Sequence, residues 1–122
     1  RDALVAALGD LGFQEVEVHG QPQHLFGYEG DVRPERAEVI VRRKHVGPLA
    51  NDIGFRRTGG GSYEAVVSEY DQENGHGAGW RQRLLQRYGR HVAVANLRRK
   101  GFRVEREETR EGKLHLVMRR CA

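Results

Sequence analysis

Cysteine is almost absent from this chain: Cys121, beside the C-terminus, is the single one in 122 residues. A lone thiol closes no intramolecular disulfide, so a cytoplasmic setting is expected. A nucleophile needs a shaped pocket, which the end of a chain does not offer, so Cys121 is read as structural. Long apolar runs are also missing. None approaches the ~18 residues that span a bilayer, and no charged start followed by an apolar stretch marks a signal peptide. No membrane association is expected. The chain opens at Arg1 without a methionine, and any targeting signal upstream of it would be invisible here. Metal-ligand spacing is lacking too. The six histidines, His19, His24, His45, His76, His91 and His115, show neither an i, i+4 pair on a helix nor a nearby cysteine, so no metal and no cofactor is expected.

What is present is charge, unevenly placed. The net charge is +4, from 21 Lys and Arg against 17 Asp and Glu. Between Asn74 and Val104 stand eight basic residues and no acidic one, so the remainder of the chain carries −4. Such polarity speaks about partners rather than fold. The length suits one domain with a core of its own.

Periodicity sets out the elements. Leu4, Val5, Leu8 and Leu11 predict a helix over 2–11, stopped by Gly12. "FQEVEVHG" predicts a strand from Phe13 to His19. "QPQHLFGYEGDVRPER" reads as loop, with a short strand possible at 24–28. Strands follow at Ala37–Arg43, across "DIGFRR", and over Ser62–Tyr70. Alternation in "DIGFRR" and "KLHLVMR" predicts a sheet with one wet face. "DQENGHGAG" reads as a flexible connection. A long helix over 79–100 ends at Gly101, and two strands joined around Arg110–Gly112 close the chain. Gly12-Phe13 and Gly101-Phe102 echo one another, compatible with two helix-to-strand halves in one sheet.

Gly59–Gly61 beside Arg56 and Arg57 raises the possibility of a phosphate-cradling loop. Such loops run from strand into helix and place the helix N-terminus on the anion. Here strand sequence follows, and no Lys stands after Gly61. The three glycines therefore read as the turn of a β-hairpin.

No catalytic constellation emerges. Most carboxylates alternate with apolar residues, as solvent-facing strand positions do, and Ser62 and Ser68 lack a nucleophile-elbow context. The long helix carries an apolar stripe, Trp80, Leu84, Leu85, Tyr88, Val92 and Ala95. A separate track of Arg83, Arg87, Arg90 and Arg98 runs beside it, interrupted by Val94 and followed by Arg99 and Lys100. Arg83, Arg87, Arg90, Arg98, Arg99 and Lys100 are the candidate polyanion- or partner-binding residues. The competing reading is a solvated face neutralised by acidic strand residues such as Glu105 and Glu107. No RNP-type or helix-turn-helix pattern is present, and aromatics are not interleaved with the cations.

The ordered words "LGF", "GYEG", "NDIGF", "YEAV", "QRY" and "GFRVE" resemble, over nearly the whole chain, the hypothetical chloroplast reading frame 35 proteins of algae and their bacterial relatives (domain of unknown function 1257). The resemblance implies a small single-domain protein with no established activity, cofactor or catalytic residue. It also implies a short strand before the first helix, which the sequence from Arg1 does not include, so that either the fold has lost an edge strand or the start is missing, and a plastid stroma location for algal members.

The expected fold is α+β: one domain over 1–122, an antiparallel sheet of five to seven strands with two helices on one face. The first functional expectation is a non-catalytic module that binds another protein. The alternative is a nucleic-acid-binding protein acting through the arginine face. An enzyme with a site assembled from scattered residues stands third.

Overall fold

The computed structural model describes residues 2–111 and 113–121. Its architecture is the expected α+β. Helix α1 (Asp2–Asp10) leads into strands β1 (Glu17–Phe26) and β2 (Val32–Val41), then β3 (Ile53–Arg57) and β4 (Tyr63–Val66). A short helix α2 (Glu69–Glu73) and the long α3 (Ala78–Arg99) follow, then β5 (Phe102–Arg110) and β6 (Lys113–Arg120). The first four strands form one antiparallel sheet in the order β1-β2-β3-β4, while β5 and β6 form a hairpin of their own. The six strands fall within the expected number but divide between two sheets, because the hairpin docks on α3 and, among the described residues, pairs with no other strand. Gly12 and Gly101 end their helices at φ 102° and 86°, as the echo implies. The two halves, however, feed different sheets.

The main core is a sandwich of α1 and α3 on one face of the sheet. Leu4, Ala7 and Leu8 of α1 meet Val39, Val41, Ile53 and Phe55 of the sheet, and Trp80 and Leu84 of α3. Phe13 and Val16 pack against this core. Phe13 lies edge-on to Trp80, with ring centroids 6.2 Å apart. That engagement delays the first strand, which starts at Glu17 rather than Phe13.

The stretch expected as loop, 21–36, is instead mostly strand. Prolines cannot donate to a ladder and sit at bulges or edges. Pro22 falls in the register shift between Val18 and Gln23, and the partner segment of the shift between His24 and Phe26 contains Pro34. The opposite face of the sheet is not uniformly wet either. Leu25, Ala37 and Ile40 form a second small cluster. Gly54 belongs beneath it, since a Cβ there would come within 2.7 Å of Ala37 Cβ and 2.9 Å of Leu25 Cδ2.

The expected strand over 62–70 ends at Val66, because Ser68 caps α2 by accepting the Asp71 amide. "DQENGHGAG" is accordingly anchored rather than loose, with Asp71 buried. On α3 the buried residues are Trp80, Leu84 and Val94, and Tyr88 is half-buried. Leu85, Val92 and Ala95 point outward. At about 100° per residue, Leu85 lies about 140° from Trp80, too far round to share its face. The inner face is completed instead by Arg87 and His91, both directed at Asp10 of α1.

The glycine stretch is a hairpin turn, as read: the Thr58 amide donates to the Ser62 carbonyl between β3 and β4. Gly112, in the expected last turn, lies outside the described residues. In the first turn, Gly61 has φ 78°, whereas Gly59 and Gly60 lie outside the left-handed region with open space around them. Gly61→Ala is expected to lower stability by about 1 kcal/mol, and Gly60→Ala to leave it unchanged or slightly raise it. Chemical denaturation of both variants checks this.

Candidate functional site

Two neighbouring residues just before β3 organise one end of the sheet. Asp52 is 1% exposed. Its Oδ2 accepts the Phe26 amide at 2.7 Å and Arg42 Nη1 at 2.8 Å, and its Oδ1 accepts the Arg43 amide at 2.6 Å. The Asp52 amide returns a bond to the Phe26 carbonyl at 3.0 Å. Buried charge persists only when paired and hydrogen-bonded, and this one is both. Arg42 also grips Glu17 in a fork, Nε to Oε2 at 2.7 Å and Nη2 to Oε1 at 2.9 Å. Its guanidinium lies over the Phe26 ring, 5.2 Å from the centroid. The Arg42 bonds, helped by His19 and outweighing burial, hold the Glu17 carboxyl down at about 2.

Asn51 works in the opposite direction, toward the turn at Tyr28 and the start of α2. Its Oδ1 accepts the Tyr28 amide at 3.0 Å, its Nδ2 donates to Ser68 Oγ at 2.9 Å, and its own amide donates to Asp71 Oδ2 at 3.1 Å. The Ser68 hydroxyl donates to the same Asp71 oxygen at 2.8 Å. The segment 27–31 and the start of α2 are thereby both tied to Asn51.

Beside Asn51 stand Tyr28 of the β1–β2 turn, Leu49 of the loop before β3 and Tyr70 of α2, exposed by 51%, 59% and 43%. Together with Asn51 they line an open depression of about 370 Å³. Arg43 Nη1 donates to the Tyr28 carbonyl at 2.9 Å. A second depression alongside is lined by Phe26, Gly30, Arg42, Arg43, Lys44 and Asp52. The Glu29 hydrogen bond and charge, with burial and the charge of Asp31, push the Tyr28 phenol up from its ordinary value. Among the described residues no group of three His, Cys, Asp or Glu side chains is placed to hold a metal.

The arginine track is divided by the fold. Arg87 bridges Asp10 and Glu107, and Arg90 pairs with Glu107. They form a seam joining α1, α3 and β5, the internal neutralisation that Glu107 was expected to supply. Glu105 pairs instead with Arg119, at 3.4 Å. Asp10 has its pKa raised by burial, but the bonds from His91 and Arg87 prevail and the net shift is downward. Arg99 is bonded to Asn96. Arg83, Arg98 and Lys100 stand exposed, outside these pairs. The structure thus brings Arg87 and Arg90 together in a structural contact and leaves the other candidates spread along the helix.

Sequence reading missed Tyr28, Leu49, Asn51 and Tyr70. One signal was available: "SEYD" is a Ser-x-x-acidic helix start, read as strand because aromatic and β-branched residues surround it. The family model described as Protein of unknown function (DUF1257) matches residues 7–117, and the chain belongs to that family. No curated protein and no solved structure matches the chain. Among the described residues no helix is long and apolar enough to cross a membrane.

Asp52→Ala strands the Phe26 and Arg43 amides and takes from Arg42 one of its two carboxylate partners, and is expected to lower stability by about 3 kcal/mol in denaturant titrations. Glu17 provides a pH test. Its carboxyl is lowered on folding from an ordinary 4.5 to about 2. Its contribution is therefore complete above the higher value and lost as pH falls toward the lower one. Thermal melts should drop across that window, and Glu17→Gln should flatten the drop while lowering the melting temperature at neutral pH.

Proposed function

We propose that this member of the family is a non-catalytic interaction module that captures another protein on the Tyr28–Leu49–Tyr70 surface. The observation that carries this reading is the exposure of those three side chains together, at 51%, 59% and 43%, around Asn51, which is bonded to the Tyr28 turn and to the start of α2. Large exposed apolar groups that cluster around a concavity characterise binding surfaces. Tyrosine suits them because a rigid ring covers apolar area at low entropic cost while its hydroxyl takes a hydrogen bond. The partner supplies an apolar side chain that enters between the two rings onto Leu49, with polar groups around it meeting the two phenols. The loops are already ordered by buried bonds, so binding does not bear the cost of ordering them.

The second reading, polyanion binding, rests on Arg83, Arg98 and Lys100, which have no acidic partner among the described residues. Against it stands the use of Arg87 and Arg90 inside the fold. Arg98 and Arg99 also have a local role, because cations in the last turn favour the helix dipole.

Affinity capture from the native cell, with nuclease treatment, separates the two. Leu49→Asp and Tyr70→Ala are expected to release the captured protein while leaving thermal melts within about 1 kcal/mol of the parent, since both side chains are exposed. Capture that survives both changes, yet vanishes with nuclease or when Arg83, Arg98 and Lys100 become Gln, overturns the first reading in favour of the second.

A further inference from the structure

The tyrosine depression has a charged neighbour. Asn51 lines the first depression, and Asp52, the next residue, lines the second with Phe26, Gly30, Arg42, Arg43 and Lys44. The three cations of the second depression are not equivalent. Arg42 is engaged inside the fold: Nε and Nη2 hold Glu17, and Nη1 holds Asp52 and the His24 carbonyl. Asp52 is likewise occupied on both oxygens. Arg43 and Lys44 meet no carboxylate among the described residues, and Lys44 is exposed. Arg43 is held in place without being neutralised, since its Nη1 donates to the Tyr28 carbonyl, an uncharged acceptor, at 2.9 Å. Its Nη2 lies 4.0 Å from where a Cβ on Gly30 would stand, so glycine leaves that side of the guanidinium uncovered.

The acidic groups nearby are placed differently. Glu29 takes the hydrogen bond of the Tyr28 hydroxyl. Asp31 is folded over its own turn, with Oδ1 2.5 Å from where a Cβ on Gly27 would stand. Glu69 stands exposed beside Tyr70, in the first turn of α2. The surface therefore has a direction. Uncompensated positive charge borders it on the Asp52 side, through Arg43 and Lys44, and negative charge adjoins Tyr70. A guanidinium already held by a carbonyl loses little freedom on meeting a carboxylate, and its planar fork suits one.

We infer, on the reading that the tyrosine surface is a binding site, that the captured protein presents an acidic side chain close to its apolar anchor, and that Arg43 and Lys44 receive that carboxylate. The apolar side chain enters beside Asn51, and the carboxylate lies over the neighbouring depression. An extended residue advances about 3.3 Å, so depressions whose linings meet at Asn51 and Asp52 are about one to three residues apart along such a segment. The acid stands at one end only, because Glu69 disfavours a second acid beside Tyr70. The rings and Leu49 select apolar bulk; the two cations fix which way the segment runs.

The test selects nine-residue peptides from a random display library on the parent protein and counter-selects on Leu49→Asp. The enriched peptides are expected to share an apolar residue with Asp or Glu within three positions of it, on one side. For the best of them, replacing that acid by its amide should weaken binding to the parent about fivefold, the upper end for an ion pair bordered by solvent. On the double variant Arg43→Gln, Lys44→Gln the same replacement should change nothing, and added salt should matter less than for the parent. Lys44→Glu, at an exposed position, should by itself weaken the acidic peptide and spare its amide form. Enriched peptides that need Leu49 but hold no fixed acid overturn the inference and leave the tyrosine surface standing. An acid whose replacement has the same effect on the double variant does so too. Failure to enrich any peptide over Leu49→Asp overturns both readings. Dimerisation of the parent that Leu49→Asp abolishes also overturns both, by giving the surface to a second copy.

Discussion

A carboxylate enclosed in protein is costly unless each oxygen is answered, and those of Asp52 are answered from two places in the chain. The amide of Phe26 ends β1, the amide of Arg43 follows β2, and the guanidinium of Arg42 links onward to Glu17 at the start of β1. One side chain thus fixes where two strands stop and where β3 begins. The same residue pair fixes the neighbouring loops, because Asn51 cannot satisfy Tyr28, Ser68 and Asp71 unless Asp52 is seated beside it. The exposed tyrosine surface is the solvent side of this arrangement. Its rigidity comes from buried polar bonds rather than from its own contacts.

The molecule keeps its strong electrostatics in two places of different kinds. Around Asp52 the charges are enclosed, and their geometry is set by backbone amides. Along the seam of Asp10, Arg87, His91, Arg90 and Glu107 the pairs are only partly covered. Partly exposed pairs contribute little individually. Their effect there is orientation: Arg87 touches both α1 and β5, so the hairpin has a preferred seat on a helix whose inner face is not wholly apolar.

Helices α1 and α3, the glycine turn and the closing hairpin were legible in the sequence, because each depends on residues a few positions apart. A helical stripe, a run of turn glycines and an alternating strand are local patterns. Three features were not legible, for identifiable reasons. Pro22 and Pro34 suggested loop where the strands absorb them at register shifts, and that tolerance is set by the partner strand. "SEYD" offered both strand-forming residues and a helix cap, and burial of Asp71 against Asn51 decides between them. The tyrosine surface joins residues near 28, 50 and 70 through bonds spanning about twenty positions, for which no local period exists. The arginine track was visible, but whether it faces solvent or a neighbour is decided by Asp10 and Glu107, both remote in sequence.

The two edges of the four-stranded sheet are unlike. β1, at one border, is broken by the shift between Val18 and Gln23 and carries Pro22 within it. β4, at the other, is regular through all its recorded pairs. Stacking of sheets into fibres requires each molecule to offer two competent edges, one to receive and one to extend. The register shifts in β1, costly as they are to the ladder, break the regular row of amides and carbonyls along that border, so this side of the sheet makes a poor template for another strand.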